Sequence, residues 1–228
     1  MRPVSESRPH DPYRRRRAAA AASREETRRR LLESADVLFR ERGYHQTSVS
    51  AIAEHAGFSL QTLYLAWQGG KPALLRAAAN AAVTATGLPI EPDIWRHGLV
   101  AELAKESGTD PDARATLRAL SRMYVRVAHR AAPYWRMLRH AATTDETVAA
   151  DWKMITGERR RTMRAVIESA AVPGWRPELT TDDIVDTMWA LTSPETYDLL
   201  TVSRDLSPDE YEAWLARTLQ HALCTEAG

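Results

Sequence analysis

The stretch ADVLFRERGYHQTSVSAIAEHAGFSLQTLYLAW, residues 35–67, decides how this chain folds. A helix enters it from about Glu25, because Leu31, Leu32, Ala35, Leu38 and Phe39 recur at spacings of three and four and form one apolar stripe. Gly43 stops that helix, as a glycine just past a helix end does. Thr47 or Ser48 caps a second, short helix whose inner face is Val49, Ile52, Ala53 and Ala56, and Gly57 supplies a turn. Ser59 caps a third, with Leu63 and Trp67 directed inward and Phe58 packed at the turn, and Gly69 and Gly70 close it.

Two short helices joined by a tight turn and preceded by a supporting helix make a helix-turn-helix. In that arrangement the first helix of the pair crosses the DNA backbone and the second lies in the major groove. With Leu63 and Trp67 turned inward, Leu60, Gln61, Thr62, Tyr64 and Leu65 are left for the outer surface. The amide of Gln61 can pair bidentately with an adenine edge, and a leucine on this face can meet a thymine methyl.

On these residues the chain resembles the tetracycline-repressor (TetR) family. The matching positions are Leu38-Phe39, Gly43-Tyr44, Thr47, Ile52-Ala53, Ala56-Gly57 and Thr62-Leu63-Tyr64. The later stretches TMWALTSPETYDLL and LSPDEYEAWLARTL are similar to a subset of the same family. The resemblance implies phosphate contacts from Thr47, Ser48 and Tyr64, with Gln61 and Thr62 nearest the bases. It also points to Lys71 as a phosphate ligand, although Gln68, Gly69 and Gly70 put one residue more than the family's usual two ahead of it.

Outward from the motif, residues 1–80 hold 14 Lys and Arg against 8 Asp and Glu, whereas residues 81–228 hold 17 against 22. A basic end on an acidic remainder suits contact with a polyanion at that end alone. Pro3, Pro9 and Pro12, then Arg14 to Arg17, then alanines to Ala22 leave almost nothing to bury, so residues 1–24 are expected to be a disordered basic arm. That arm is either an electrostatic clamp on DNA or a solvated tail. Residues 25–71 then form the helix-turn-helix domain, and residues 72–228 a larger domain that binds a ligand and dimerises.

That larger domain reads as helices only. One runs from Lys71-Pro72 to Gly87, a linker covers 88–92, and further helices span about 94–106, 112–131, 133–143, 145–171, 181–203 with a break near Ser193-Pro194, and 207–223. The fold class is therefore all-α. Trp95, Met123, Tyr124, Trp135, His140, Trp152, Met188 and Trp189 lie along the central helices as candidate ligand contacts, because such side chains line apolar pockets; core packing is the alternative for each. The last two helical stretches are apolar on more than one face. In the family they form a four-helix homodimer interface, and an intramolecular core is the alternative.

Hydrophobic residues at 44% and charged residues at 27% are ordinary for a globular protein, and no apolar run approaches a membrane span. A single cysteine, Cys224, and an N-terminus without the apolar core of a secretory signal fit a reducing cytoplasm. The seven histidines include no convincing metal spacing, no phosphate loop appears, and nothing calls for a cofactor or points to an enzyme. The expectation is a regulator that binds a double-stranded operator and answers to a small-molecule effector, usually by leaving the DNA. The rivals are a constitutive DNA-binding protein and a helical binding protein or enzyme that carries the same motif.

Overall fold

A computed structural model describes residues 12–84, 92–103, 112–170 and 172–225, the side chains of residues 12 and 92–96 excepted. Its elements are α1 (Pro12–Gln46), α2 (Val49–Ala56), α3 (Leu60–Ala66), α4 (Gly70–Thr84) and α5 (Pro92–Leu103). They continue as α6 (Ala113–Ala141), α7 (Glu146–Ala170), α8 (Thr181–Leu191), α9 (Pro194–Thr201) and α10 (Pro208–Leu223). The described residues contain no strand, only an isolated bridge between Trp175 and Cys224. No helix among them is long and apolar enough to cross a membrane.

The chain divides into two compact units, residues 1–74 and 75–228, and α4 carries it from one into the other. In the first unit, Leu31, Ala35, Leu38 and Phe39 of α1 are buried, together with Ile52 of α2 and Leu63 of α3. Gly43 interrupts α1 with a left-handed φ of 75°, a conformation that costs other residues a steric clash. Gly57 does the same between α2 and α3 at φ 74°, where its N–H donates to the Glu54 carbonyl at 3.0 Å. Ser48, rather than Thr47, caps α2, its Oγ accepting from the Ala51 N–H at 3.1 Å.

Two expectations from the sequence need correcting. The arm of residues 1–24 lies outside the described residues up to residue 11, but from Pro12 onward it is helix, continuous with α1. Arginine and alanine are strong helix formers, and neither glycine nor proline interrupts residues 13–26, so local propensity extends the helix without any burial. The second correction is at Pro133, expected to separate two helices and found inside α6. Its missing N–H removes one backbone bond, yet Ala131, Ala132, Tyr134 and Trp135 on either side are all buried, and their packing holds the turn together.

The second unit is built on α6, whose inner face runs through Leu117, Tyr124, Ala128, Trp135 and Leu138. Against it lie Ile184, Val185 and Met188 of α8 and Tyr211, Leu215 and Leu219 of α10, all buried within a single subunit. Most of the apolar surface that the sequence reserved for a dimer is thus used inside one chain, and Leu199 and Val202 remain at 61% and 57% exposure. Capping boxes open α8 and α10: Thr180 with Asp183, and Ser207 with Glu210, each side chain bonding the other's backbone N–H.

Replacing Ile52 with Ala should lower stability by about 2–5 kcal/mol, because the site is closed on all sides, and chemical denaturation measures it. The carboxyls of Asp183 and Glu210 are held below their ordinary range by hydrogen bonds from Thr180 and Ser207. Their folded pKa values lie below the unfolded ones, so their contribution is complete above the ordinary carboxylate range and is lost as pH falls through the folded values. A Asp183→Asn, Glu210→Gln double variant should therefore lose Tm at neutral pH but show a flatter acid limb than the parent in thermal scans from pH 7 to 3.

Candidate nucleic-acid interface and internal cavity

The position of α3 follows from what holds it from behind. Ser59 Oγ accepts from the Thr62 N–H at 3.1 Å and starts the helix, while Leu63 is fully buried. Trp67 closes it, its indole N–H donating to the Arg28 carbonyl at 3.3 Å. The Arg28 guanidinium lies 4.0 Å from the Trp67 ring centroid and donates to the Ala66 carbonyl at the end of α3. Arg30 repeats the arrangement at the turn, stacked 4.9 Å from Phe58 and donating to the Ala56 carbonyl at 2.9 Å. Both arginines satisfy carbonyls that helix ends leave open, and their role was missed in the sequence, because charge on α1 gave no sign of which aromatic ring would meet it.

With that side occupied, Leu60, Gln61, Tyr64 and Leu65 lie on the outer side of α3, and Leu65 is 75% exposed. At offsets of one, four and five residues they share one helical face. Thr62 is half-buried, its hydroxyl 2.8 Å from that of Ser59. Ser48 is exposed at the start of α2. Thr47 is not brought to this surface: it is 1% exposed, and its hydroxyl donates to the carbonyls of Gly43 at 2.8 Å and Leu38 at 3.2 Å. Lys71 turns to Tyr44, its ammonium donating to the Tyr44 carbonyl at 3.1 Å and lying 4.1 Å from the ring centroid.

The second unit holds a partly open cavity of about 620 Å³. Of the side chains singled out from the sequence, Tyr124, Trp135, Trp152 and Met188 line it. Met123 packs against α5 at Gly98 instead, and His140 is exposed. Trp189 stands behind the wall, its indole N–H donating to the Thr156 carbonyl at 3.3 Å, and the side chain of Trp95 lies outside the described residues.

Polar groups missed in the sequence also reach the lining. Arg76 and Asn80 come from α4, and Arg76 is paired with the buried Asp151 at 2.6 Å. Arg159 on α7 donates through Nη1 to the Thr192 carbonyl and hydroxyl, both at 3.0 Å, and through Nη2 to the Trp189 carbonyl at 2.8 Å. Its charge is disfavoured by burial, which pulls its pKa down. The Tyr124 hydroxyl, donating to the Ser193 carbonyl at 3.3 Å, is pushed well up by its own burial and by Tyr211. A signal for Arg159 was present: it falls in register with Trp152, Ile155, Thr156 and Met163, on the inward stripe of α7.

Comparison with known proteins gives a consistent result. Residues 31–78 match the family model of bacterial regulatory proteins, tetR family. No curated protein matches the chain. Among solved structures, NalD of Pseudomonas aeruginosa, the secondary repressor of the MexAB-OprM multidrug efflux pump, is 19% identical with a TM-score of 0.65, over 90% of this chain and 98% of NalD. A TetR-family regulator structure from Rhodococcus sp. is 21% identical with a TM-score of 0.61, over 87% of this chain and 99% of that one. SmeT in complex with triclosan is 13% identical with a TM-score of 0.62, over 89% and 93%. Residues 31–78 thus carry the DNA-binding signature of the tetR family, and the chain as a whole has the fold of these TetR-family structures.

Proposed function

We propose that the chain is a ligand-responsive transcriptional repressor, a homodimer that reads a roughly palindromic operator and leaves it when a small molecule fills the cavity. One observation carries the reading: a helix anchored by Leu63 turns Gln61 and Tyr64 to solvent, in a chain that also holds a cavity of about 620 Å³. Gln61 is the reader of a base edge, Leu60 and Leu65 the contacts to thymine methyls, and Ser48, Thr62 and Tyr64 the hydroxyls that meet phosphate. Thr47 acts from inside, and Lys71 reaches phosphate only by leaving Tyr44. The triclosan complex of SmeT supports the cavity as an effector site, since a like fold holds a small molecule.

Coupling runs through α4. The helix begins in the first unit and lends Arg76 and Asn80 to the cavity wall in the second. A ligand that displaces those side chains favours one position of α4 over another, and it shifts DNA affinity by as much as its own affinity for the two positions differs. Two recognition helices, one per subunit, then fit or miss successive major grooves.

The function is tested by a mobility shift on the DNA upstream of the protein's own gene, with and without a small-molecule extract. A shift reversed by the extract supports the repressor. A shift that no extract reverses favours constitutive binding, and no shift at low salt rejects the reading. Within a positive shift, Gln61→Ala should cost roughly 1–3 kcal/mol of affinity, about five- to 150-fold, and relax preference at one base pair, as measured by titrating single-site operator variants. Leu199→Glu with Val202→Glu should turn the dimer into a monomer in sedimentation velocity, with the helix content unchanged.

A further inference from the structure

Arg159 lines the cavity with no carboxylate partner among the described residues. Two of its guanidinium nitrogens are bonded to Thr192 and Trp189, but the Nε–H is shielded from solvent and has no acceptor among the described residues. A buried donor left unbonded costs free energy, and a buried cation without an anion costs more. The other charges around the cavity are already matched: Arg76 with Asp151 at 2.6 Å, and Arg161 with Glu158 at 3.7 Å. Glu195, whose charge reaches Arg159 from α9, is bonded to Arg139 at 3.1 Å.

Around this cation the wall is apolar and aromatic, with Tyr124 and Trp135 stacked at 6.5 Å between ring centroids and Trp152, Met163 and Met188 beside them. Such a site takes a molecule with an apolar body and one anionic acceptor. Resting on the cavity being the effector site, we infer that the effector is an amphipathic carboxylate, its aromatic or aliphatic body against Tyr124, Trp135 and Trp152 and its carboxylate paired with the Arg159 guanidinium, which lines the cavity with no carboxylate partner among the described residues. Arg159 is the group that selects charge. The fork that holds Thr192 and Trp189 fixes its orientation before any ligand arrives, so little ordering cost falls on binding.

The test uses the full-length protein without DNA and three probes of different shape: 1-naphthaleneacetate, 4-phenylbutyrate and decanoate, each beside its uncharged primary amide. Affinities come from tryptophan fluorescence and from calorimetry. At least one carboxylate is expected to bind tenfold or more tightly than its amide, and in Arg159→Met that preference should be gone, acid and amide binding within about threefold of one another. Arg159→Lys should keep part of it. The inference is overturned if no carboxylate outbinds its amide, including the case in which none of the six binds at 2 mM, or if the preference survives in Arg159→Met. The comparison of acid with amide on the parent protein stands even if a variant misfolds. Because DNA is absent, the outcome separates from the repressor reading: carboxylates that bind but never release DNA uphold the site and reject the regulation, and extract that releases DNA while carboxylates fail does the reverse.

Discussion

Everything proposed for the first unit depends on Leu63 lying in the closed core formed with α1 and α2. A seven-residue helix has too few backbone bonds to be stable alone, so α3 exists because that side chain and Trp67 are held. Full burial of a leucine is worth about 1.5–3 kcal/mol, and the stacked arginines add cation–π contact and satisfy the carbonyls at the ends of α2 and α3. Once one side of a helix is committed in this way, the residues at the opposite offsets have nowhere to go but outward. The candidate reading surface is therefore a consequence of packing rather than of any preference of Gln61 or Tyr64 themselves.

The second unit works on the opposite plan, with polar groups brought inward. Arg159 and Arg76, the latter paired with the buried Asp151, sit in the wall of an apolar cavity, where each must be bonded or bear the cost of desolvation. Thr192 and Trp189 provide part of that bonding from the end of α8. Helix ends have spare carbonyls, and placing a guanidinium across one satisfies both partners at once. The break between α8 and α9 at Ser193-Pro194 thus does more than end a helix: it exposes the acceptors that fix Arg159.

Much of this was legible in the residues and some was not. The apolar spacing in residues 31–67, the glycines at 43 and 57 and the serine caps are local signals, and each falls at a helix end or turn in the structure. Pro133 and residues 12–24 were misjudged because proline and the absence of apolar residues are local signals too, and there packing in one case and bare propensity in the other decided the outcome. Thr47 carried the family's expectation of a phosphate contact, yet a hydroxyl with two backbone carbonyls within reach turns inward. Four of the eight candidate ligand contacts line the cavity, and the spread was unavoidable: a Trp or Met on an apolar stripe looks the same whether it faces a void or a neighbour. An arginine on that stripe does not, and Arg159 was the stronger clue.

The account stands most directly on which side of α3 meets DNA. The measurement is the rate of maleimide alkylation of a thiol placed at Gln61 (Gln61→Cys), with and without a saturating DNA fragment that the protein shifts, beside Thr147→Cys as an exposed control in the second unit and with the buried Cys224 as the native background. A tenfold or greater slowing at residue 61 with no change at residue 147 is the predicted result. Equal rates at residue 61 in the free and DNA-bound protein would contradict it.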